Sequence, residues 1–424
     1  MPLSTNDAPA SRVREGGSAA AAGPSGPLRG IRVIEFCQVM AGPFCGQMLA
    51  DLGADVIKVE KPAGDDTRRM GPPFVAGEAA AFLAVNRNKR SVVLDVKRPE
   101  GREVMERLVA SADVFIENLR PGTCDRLGLG YERLSSINPR LVYCSISGFG
   151  QTGPYRDRGG FDLVAQAMSG LMSVTGPTDG ALVKVGVPVT DLTAGLLGAY
   201  GVVAALLERA ASGRGQHVDT SLLEAGIAYT VWESASYFAT GEVPQPTGTA
   251  HRLTAPYQAF PTRDGHVIVG GANQANWERI CRALERPDLV DDERFRTPAD
   301  RMRNREELVA LLEEIFRART TGEWLERLAR EGVPSGPVYD LAQVYADPHV
   351  EAREMVVSRS HPVAGDVRMI GVPVKLSRTP GAVHRPAPML GEHTAEVLAE
   401  LGFDAGRIRA LASAGVTAPA GAGG

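Results

Sequence analysis

Residues 31–60, IRVIEFCQVMAGPFCGQMLADLGADVIKVE, decide the fold class of this chain. The β-branched run at 31–36 predicts a strand, the run at 43–52 predicts a helix, and 55–60 predicts a second strand. A strand, a helix and a strand in this order form the crossover unit of a parallel sheet. We therefore expect an α/β protein in which helices cover a parallel sheet.

The same alternation continues downstream of this unit. Further strands are predicted at 91–94, 113–117, 140–147 and 216–221, and further helices at 99–111, 191–209 and 222–238. Because crossovers between parallel strands are right-handed, these elements predict a doubly wound, Rossmann-like layer.

The sequence changes character after residue 248. Apolar runs at 257–260 and 266–269 flank a turn and predict a β-hairpin. Helices are predicted at 276–284, 305–317 and 322–330, followed by short strands past residue 347 and a final helix at 392–401. We expect a smaller α+β domain in this region and a return of the chain to the first domain.

These patterns predict six segments along the chain. Residues 1–27 and 414–424 are rich in small residues without apolar periodicity, and we expect disordered tails there. The large domain is predicted at 28–223 and again at 341–413, the linker at 224–249, and the smaller domain at 250–340.

Composition narrows the possible partners and compartments. The formal net charge of -4 and the absence of a basic block argue against binding to nucleic acid. The apolar stretch 194–207 is short and interrupted by glycine, so we expect no membrane span. The first 26 residues lack the apolar core of a secretory signal, and the five cysteines form no CxxC pair. We therefore expect a cytoplasmic protein, with no metal site.

The run GFGQTG at 148–153 matches the dinucleotide-binding pattern GxGxxG. That pattern requires a helix to begin within it, so that amide groups face a pyrophosphate. Here Pro154 and the charged residues 156–158 follow instead. We expect a plain glycine loop and no NAD site.

Asp191 is the candidate catalytic carboxylate. It lies in GVPVTDLTAG, residues 186–195, where a small-residue helix is predicted to begin. Two interpretations remain open: Asp191 caps the helix, or the helix N-terminus keeps it ionised as a nucleophile. The small residues Gly195, Gly198 and Gly201 leave one flank of this helix free for a ligand or for a neighbouring helix.

Basic residues cluster near the ends of the predicted strands. They are Lys58, Lys61, Lys89, Arg90, Lys97, Arg98, Arg120 and Arg126. Loops at the carboxyl ends of parallel strands are where such folds bind ligands. The cluster would suit a phosphate-rich ligand, with solvated surface charge as the alternative for each residue.

A series of motifs resembles the class III CoA-transferases, the formyl-CoA transferase and carnitine CoA-transferase group. In family order they are MAGP at 40–43, LGADVIKVE at 52–60, NRNKRS at 86–91, LDVK at 94–97, ENLRPG at 117–122, SGFGQTGP at 147–154, GFD at 160–162, VPVTD at 187–191, GRGQ at 213–216 and PMLGEH at 388–393. The resemblance covers residues 28–413.

The resemblance implies a catalytic role for Asp191 and an interlocked dimer of two open rings. It implies that CoA, as a substrate and not a tightly bound cofactor, contacts Met40, Ala41, Lys61, Leu94, Lys97, Asn118, Arg120 and Arg126. Lys61 replaces an arginine of some members, and Met40 replaces a glutamine of formyl-CoA transferase. The Met40 replacement and the lack of a four-glycine run argue against formyl or oxalyl specificity.

Residues 248–260 and the Gly-Val-Pro run beginning at Gly332 are most similar to a narrower branch, the succinate–hydroxymethylglutarate CoA-transferases. This implies succinyl-CoA as donor and a small carboxylic acid, of dicarboxylate type, as acceptor. His251 and Arg252 are candidates to bind the acceptor carboxylate; the alternative is that both are solvent-exposed loop residues.

The resemblance also implies the chemistry and its rivals. Asp191 would attack the acyl-CoA and then carry CoA as an aspartyl thioester. The related 2-methylacyl-CoA racemases pair this aspartate with a histidine in the segment where this chain has Gly160, Phe161 and Asp162. Phe161 cannot transfer a proton, which argues against racemisation. A CoA-binding protein without turnover is the third possibility, against which the retained Asp191 argues.

Overall fold

The computed structural model describes residues 26–418 of the chain. Most of the two expected tails, residues 1–25 and 419–424, therefore lies outside the described residues.

The strands are numbered in chain order. They are β1 (Arg32–Phe36), β2 (Asp55–Glu60), β3 (Phe74–Val75), β4 (Glu78–Ala79), β5 (Lys89–Val93), β6 (Val114–Glu117), β7 (Val142–Ser147), β8 (His217–Ser221), β9 (Tyr257–Pro261), β10 (His266–Gly270), β11 (Ser335–Pro337), β12 (Val356–His361) and β13 (Gly365–Ile370).

The α-helices are numbered in the same way. They are α1 (Ala41–Asp51), α2 (Ala80–Val85), α3 (Pro99–Ala110), α4 (Thr123–Arg126), α5 (Tyr131–Ile137), α6 (Asp162–Met168), α7 (Leu171–Val174), α8 (Val189–Ser212), α9 (Leu222–Tyr229), α10 (Val231–Thr240), α11 (Gln274–Ala283), α12 (Asp288–Asp291), α13 (Pro298–Arg303), α14 (Arg305–Arg317), α15 (Thr321–Arg330), α16 (Leu341–Ala346), α17 (Pro348–Ala352), α18 (Thr394–Glu400) and α19 (Ala405–Ser413). A short 3-10 helix spans Asp66–Arg69.

A six-stranded sheet in the order β5-β2-β1-β6-β7-β8 confirms the expected parallel layer. Every pairing in this sheet is parallel, with β1 between β2 and β6. The strand order reverses beside β1, because the chain builds outward first through β2 and β5 and then through β6, β7 and β8. Ligands bind at such a switch point in open α/β sheets, at the carboxyl ends of the strands.

Helices cover both faces of the sheet, and for this reason its strands are apolar and buried. Residues of α3, α5, α18 and α19 join one core cluster, and residues of α1, α8 and α9 join the other. Successive strand residues alternate between the clusters: Val33 packs with the second and Ile34 with the first.

The glycine flank of α8 packs against protein. A side-chain carbon at Gly195 would lie 2.7 Å from the carbonyl oxygen of Ala41, and one at Gly201 would lie 2.6 Å from Val218. The glycines therefore let α8 approach α1 and the sheet closely, which settles the open question in favour of a neighbouring helix.

Helix α8 is longer than the 191–209 expected, and it is apolar. Among the described residues it alone is long and apolar enough to span a membrane by length and composition, and 39% of its most apolar window is buried in the protein. The apolar stretch is thus longer than the 194–207 expected, and the expectation of no membrane span stays a prediction. The helix packs on α1 and the sheet.

The region after residue 248 folds around a core of its own. Strands β9, β10 and β11 form an antiparallel sheet, and the hairpin expected at 257–269 is confirmed. Helices α11, α14 and α15 pack on it through Trp277, Phe316 and Trp324. The exact domain boundaries given above remain predictions.

The single helix predicted at 222–238 is wrong. Two helices, α9 and α10, occupy this stretch and meet at Thr230. The Thr230 hydroxyl donates to the carbonyl oxygen of Ile227 and lies 2.9 Å from the Ser234 hydroxyl. A threonine bonded to the backbone in this way competes with helix continuation.

The last part of the chain returns to the first strands of the sheet. The Thr394 hydroxyl accepts from the Val93 amide at 3.2 Å, and the Ser91 hydroxyl accepts from the Gly391 amide at 2.9 Å. Arg90 of β5 forms ion pairs with Glu396 and Glu400. The outer strand of the large sheet is thus completed by residues about 300 positions later in the chain.

Candidate active site

Two adjoining cavities open at the carboxyl ends of β1, β2, β6 and β7. The larger has a volume of about 440 Å³ and the smaller of about 260 Å³. Gln38 and Leu119, which follow β1 and β6, line both of them. The two cavities therefore form one groove that crosses the switch point of the sheet.

The larger cavity brings together five of the predicted site residues. Asp191 lines it with Met40, Ala41, Asn118 and Arg120. These residues come from the loop after β1, the start of α1, the loop after β6 and the first turn of α8. The sequence placed them together only through the family resemblance, and here the fold makes them neighbours.

The smaller cavity contains three further predicted residues, Lys61, Leu94 and Lys97. Lys61 forms an exposed ion pair with Asp66 at 2.8 Å. Arg126 lies beside this cavity, where its Nη2 donates to the hydroxyl of Thr123, a lining residue. Exposed cations therefore lie in and beside the smaller cavity, and Arg120 lines the larger cavity with Asp191.

The Asp191 side chain is not a helix cap. The residue before α8 is Pro188, and Asp191 accepts no hydrogen bond among the described residues. Burial, together with a smaller contribution from the nearby Asp162 carboxylate, raises the pKa of Asp191 to about 6. Of the two open interpretations, capping is therefore wrong, and a carboxylate with this pKa is still mostly ionised at neutral pH.

Asp162 was not assigned a role from the sequence, although it lies in the GFD motif. Its carboxylate accepts from the Thr190 amide at 2.9 Å, from the Thr190 hydroxyl at 2.8 Å and from Gln166 Nε2 at 2.8 Å. It therefore ties the start of α6 to the start of α8, one residue before Asp191. Only the folded chain shows this contact.

Asn118 fixes the loop that follows β1. Its side-chain oxygen accepts from the Gln38 amide at 2.8 Å, and its side-chain nitrogen donates to the Gln38 carbonyl oxygen at 2.7 Å. Both polar groups of the Gln38 backbone are thus satisfied across the switch point.

Three members of the basic cluster are unavailable to a ligand. Lys58 and Lys89 are fully buried and both pair with Glu35, at 3.0 and 2.7 Å. Arg90 pairs with Asp55, Glu396 and Glu400. The phosphate-binding interpretation is therefore wrong for these three, because carboxylates far away in the sequence already neutralise them.

His251 and Arg252 do not line the cavity that contains Asp191. The His251 ring stacks on Tyr257 with centroids 5.2 Å apart and meets Trp232 edge-on at 5.8 Å. Arg252 donates to the carbonyl oxygen of Gln245 at 2.7 Å. Their role toward the acceptor stays a prediction.

The glycine loop at 148–153 contains no helix start, as expected; the next helix, α6, begins at Asp162. Phe161 lines the Asp191 cavity with 74% of its surface exposed. Within residues 26–418 no group of three histidine, cysteine, aspartate or glutamate side chains is arranged to hold a metal ion.

Comparison with known proteins identifies the family. The model of CoA-transferase family III matches residues 28–394. The chain belongs to CoA-transferase family III. A succinyl-CoA:glutarate CoA-transferase from Homo sapiens is 42% identical over 392 residues, covering 92% of this chain and 90% of that protein.

A further CoA-transferase and a solved structure are similar to this family III transferase. A succinate–glutarate CoA-transferase from Agrobacterium fabrum is 44% identical over 382 residues, covering 88% of this chain and 96% of that protein. The crystal structure of a CAIB/BAIF family protein from Brucella suis matches with a TM-score of 0.80 and 43% identity. It covers 89% of this chain and 100% of that one.

Proposed function

We propose that this CoA-transferase moves CoA from succinyl-CoA to a small dicarboxylic acid through an aspartyl-CoA thioester on Asp191. The observation that carries the proposal is the position of Asp191 in a groove lined by the residues that the family uses for CoA. Relatives named for succinyl-CoA and glutarate, at 42 and 44% identity, support the choice of donor and acceptor class.

The reaction consists of four acyl substitutions that begin and end with an acyl-CoA thioester. An Asp191 oxygen attacks the succinyl carbonyl, the carbon–sulfur bond breaks, and CoA leaves as a thiolate. The thiolate attacks the aspartyl carbonyl of the mixed anhydride and releases succinate, leaving aspartyl-CoA. The acceptor carboxylate then displaces the thiolate, and the thiolate attacks the acceptor carbonyl. This last step forms the new acyl-CoA and regenerates the Asp191 carboxylate.

The half-buried setting of Asp191 suits this sequence of steps. Each acyl intermediate is hydrolysed by water, so the carboxylate must react in a site that limits water. The same burial that raises the pKa of Asp191 weakens its solvation and increases its reactivity as a nucleophile. The pKa of about 6 leaves it ionised at the pH of the cell.

Racemase chemistry is disfavoured by the side chain in the position of the second base. Phe161 lines the larger cavity with Asp191, and a phenyl ring cannot accept or return a proton.

We also propose that the functional unit is a homodimer. Helix α10 has no buried residue in the protomer, although it carries Trp232 and Phe238, which are 63 and 80% exposed. Tyr200 and Leu207 give α8 a second exposed apolar stripe. Exposed apolar surface of this extent is typical of a subunit interface. The cytoplasmic location remains part of this proposal, and cell fractionation tests it.

The decisive experiment is intact-protein mass spectrometry after incubation with succinyl-CoA, with and without hydroxylamine. Wild type should gain a CoA-sized adduct that hydroxylamine removes, and Asp191→Asn should gain none. Asp366→Asn, an exposed carboxylate on β13, is the matched control and should behave like wild type. Binding of CoA without any adduct from a panel of acyl-CoAs would favour a binding protein instead.

Acceptor specificity needs a separate test. If His251 and Arg252 bind the acceptor, Arg252→Gln should raise KM for glutarate while KM for succinyl-CoA in the first half-reaction stays unchanged. Equal changes in both KM values would show that these residues maintain the fold and do not bind the acceptor.

A further inference from the structure

The loop of residues 37–40, between β1 and α1, contains a strained residue. Val39 has a φ of 67°, a left-handed conformation that is unfavourable for a β-branched side chain. Val39 and the adjacent Met40 line the larger cavity with Asp191. Such strain persists only where surrounding contacts impose it, and it concentrates at functional sites.

Each residue of this loop before Met40 is held by a specific backbone hydrogen bond. Lys58 Nζ donates to the Cys37 carbonyl oxygen at 3.1 Å. The Gln38 backbone is bound on both sides by Asn118. The Val39 amide donates to Asp65 Oδ1 at 3.2 Å, and this is the contact that acts on the strained residue itself.

Asp65 belongs to a buried network of charges beneath the loop. Its Oδ2 lies 2.9 Å from Lys58 Nζ, Lys58 pairs with Glu35 at 3.0 Å, and Glu35 pairs with Lys89 at 2.7 Å. All four side chains are fully buried. Burial alone would raise the pKa of Asp65, but Lys58 and the hydrogen bonds from Thr67 lower it to about 2.

The position of the loop matters because α8 lies directly against Ala41, the first residue of α1. The closest neighbour of Gly195 is the carbonyl oxygen of Ala41, 2.7 Å from where a side-chain carbon would lie. Gly195 is one helical turn after Asp191. The strained loop therefore decides where Met40 and Ala41 stand relative to the carboxylate.

We propose that Asp65 is a positioning residue for CoA transfer: by holding the Val39 amide it imposes the left-handed conformation that places Met40 and Ala41 opposite Asp191. The inference rests on the proposed function of Asp191. Asp65 itself touches no reacting atom. Its two oxygens have different partners: Oδ2 pairs with Lys58, and Oδ1 accepts from Val39 and Thr67.

The test combines Asp65→Asn with Val39→Gly. The substitution replaces one carboxylate oxygen with an NH2 group, so the side chain can no longer accept both at the Lys58 position and at the Val39 position. Asp65→Asn should lower kcat by roughly 10- to 100-fold, because a displacement of about 1 Å has this cost. Glycine adopts a positive φ without strain, so adding Val39→Gly should recover roughly tenfold of the lost kcat.

A matched control separates this effect from general stabilisation. Glu354 also has a positive φ, 53°, and lies away from both cavities. Glu354→Gly relieves a similar strain and should recover no activity in the Asp65→Asn background. Recovery by both glycines, or by neither, would overturn the proposal.

A second variant covers the case in which Asp65→Asn does not fold. Val39→Pro leaves the buried network intact, removes the amide that donates to Asp65 and fixes φ near −65°. It should lower kcat by roughly 100-fold. Because proline cannot adopt the native φ of Val39, the melting temperature should fall as well, so kcat is measured at temperatures where circular dichroism shows the variant to be folded. Wild-type kcat in Val39→Pro would refute the role of the loop. Adduct formation on wild-type Asp191, measured separately, shows whether the proposed function itself holds.

Discussion

At the scale of single residues, Asp191 is a carboxylate that the fold does not fully satisfy. No side chain or amide of the described residues donates to it, and Asp162 adds a like charge nearby. The ionised carboxylate is less stable here than it would be in water, and its reaction with an acyl group removes this unfavourable charge. Function and stability are therefore expected to oppose each other at this position.

The raised pKa of Asp191 predicts the pH dependence of its acylation. Because only the ionised carboxylate attacks, the rate of adduct formation should fall as pH drops through about 6. Asp162→Asn removes a like charge and should move this midpoint to lower pH. Stopped-flow or quench-flow mass spectrometry between pH 4.5 and 8 would measure both profiles; a flat profile for wild type contradicts the assignment.

The same pKa predicts a stability change. Since the folded protein holds the Asp191 proton more tightly than the unfolded chain, its stability decreases as pH rises from about 4 to about 6. Asp191→Asn removes this cost and should add on the order of 1–3 kcal/mol to the free energy of unfolding at pH 8. The gain should vanish near pH 3.5, and urea titrations at both values test it.

The neighbourhood of residues was predictable from the sequence where a motif carried them, while their roles stay predictions. Asp191, Met40, Ala41, Asn118 and Arg120 come together as the resemblance implied. Charge pairing was not predictable, because nothing in the sequence around Lys58 or Lys89 indicates that Glu35 neutralises both. For the same reason the contact of Asp162 with Thr190 was missed.

At the scale of elements, the approach of α8 to α1 determines the geometry of the larger cavity. The two helices meet where glycines of α8 face the backbone and the small side chains of α1. Backbone atoms cannot move away from a methyl group that is added at a glycine, whereas the end of a flexible side chain can.

This difference predicts unequal effects of two alanine substitutions. Gly195→Ala places a carbon 2.7 Å from a backbone oxygen of Ala41, and it should destabilise the protein by about 1–3 kcal/mol and lower kcat. Gly198→Ala meets the end of Ile146 at 2.8 Å, which can rotate away, so its effect should be smaller. Thermal unfolding and kcat on both variants decide; equal losses would contradict this account.

Strands and long helices were predictable because their periodicity is strong and their termini carry clear signals. The strand at Asp55–Glu60 and the helix at Arg305–Arg317 have the predicted bounds. The break between α9 and α10 at Thr230 was not predictable from the sequence. It depends on one hydroxyl that bonds to the backbone within an otherwise apolar helical run. The short helices α16 and α17 were missed because neither buries any residue that would create a pattern.

At the scale of the whole molecule, exposed apolar helices predict association. Wild type should elute and scatter light as twice its 45.0 kDa mass. Phe238→Glu puts a charge on the most exposed large side chain of α10 and should shift the population toward monomer. Val363→Glu, on the exposed turn between β12 and β13, is the control and should not. A monomeric wild type would remove the homodimer from the proposal.

The return of the chain to β5 has a consequence for biosynthesis. The ribosome releases Arg90, Ser91 and Val93 early, but their partners at 391–400 emerge only about 300 residues later. Until then the outer edge of the nascent sheet has unpaired groups, and Arg90 has Asp55 as a partner but neither Glu396 nor Glu400. Native contacts over such a separation form slowly, so we expect the edge of the sheet to stay open to misfolding and aggregation until the last helices appear.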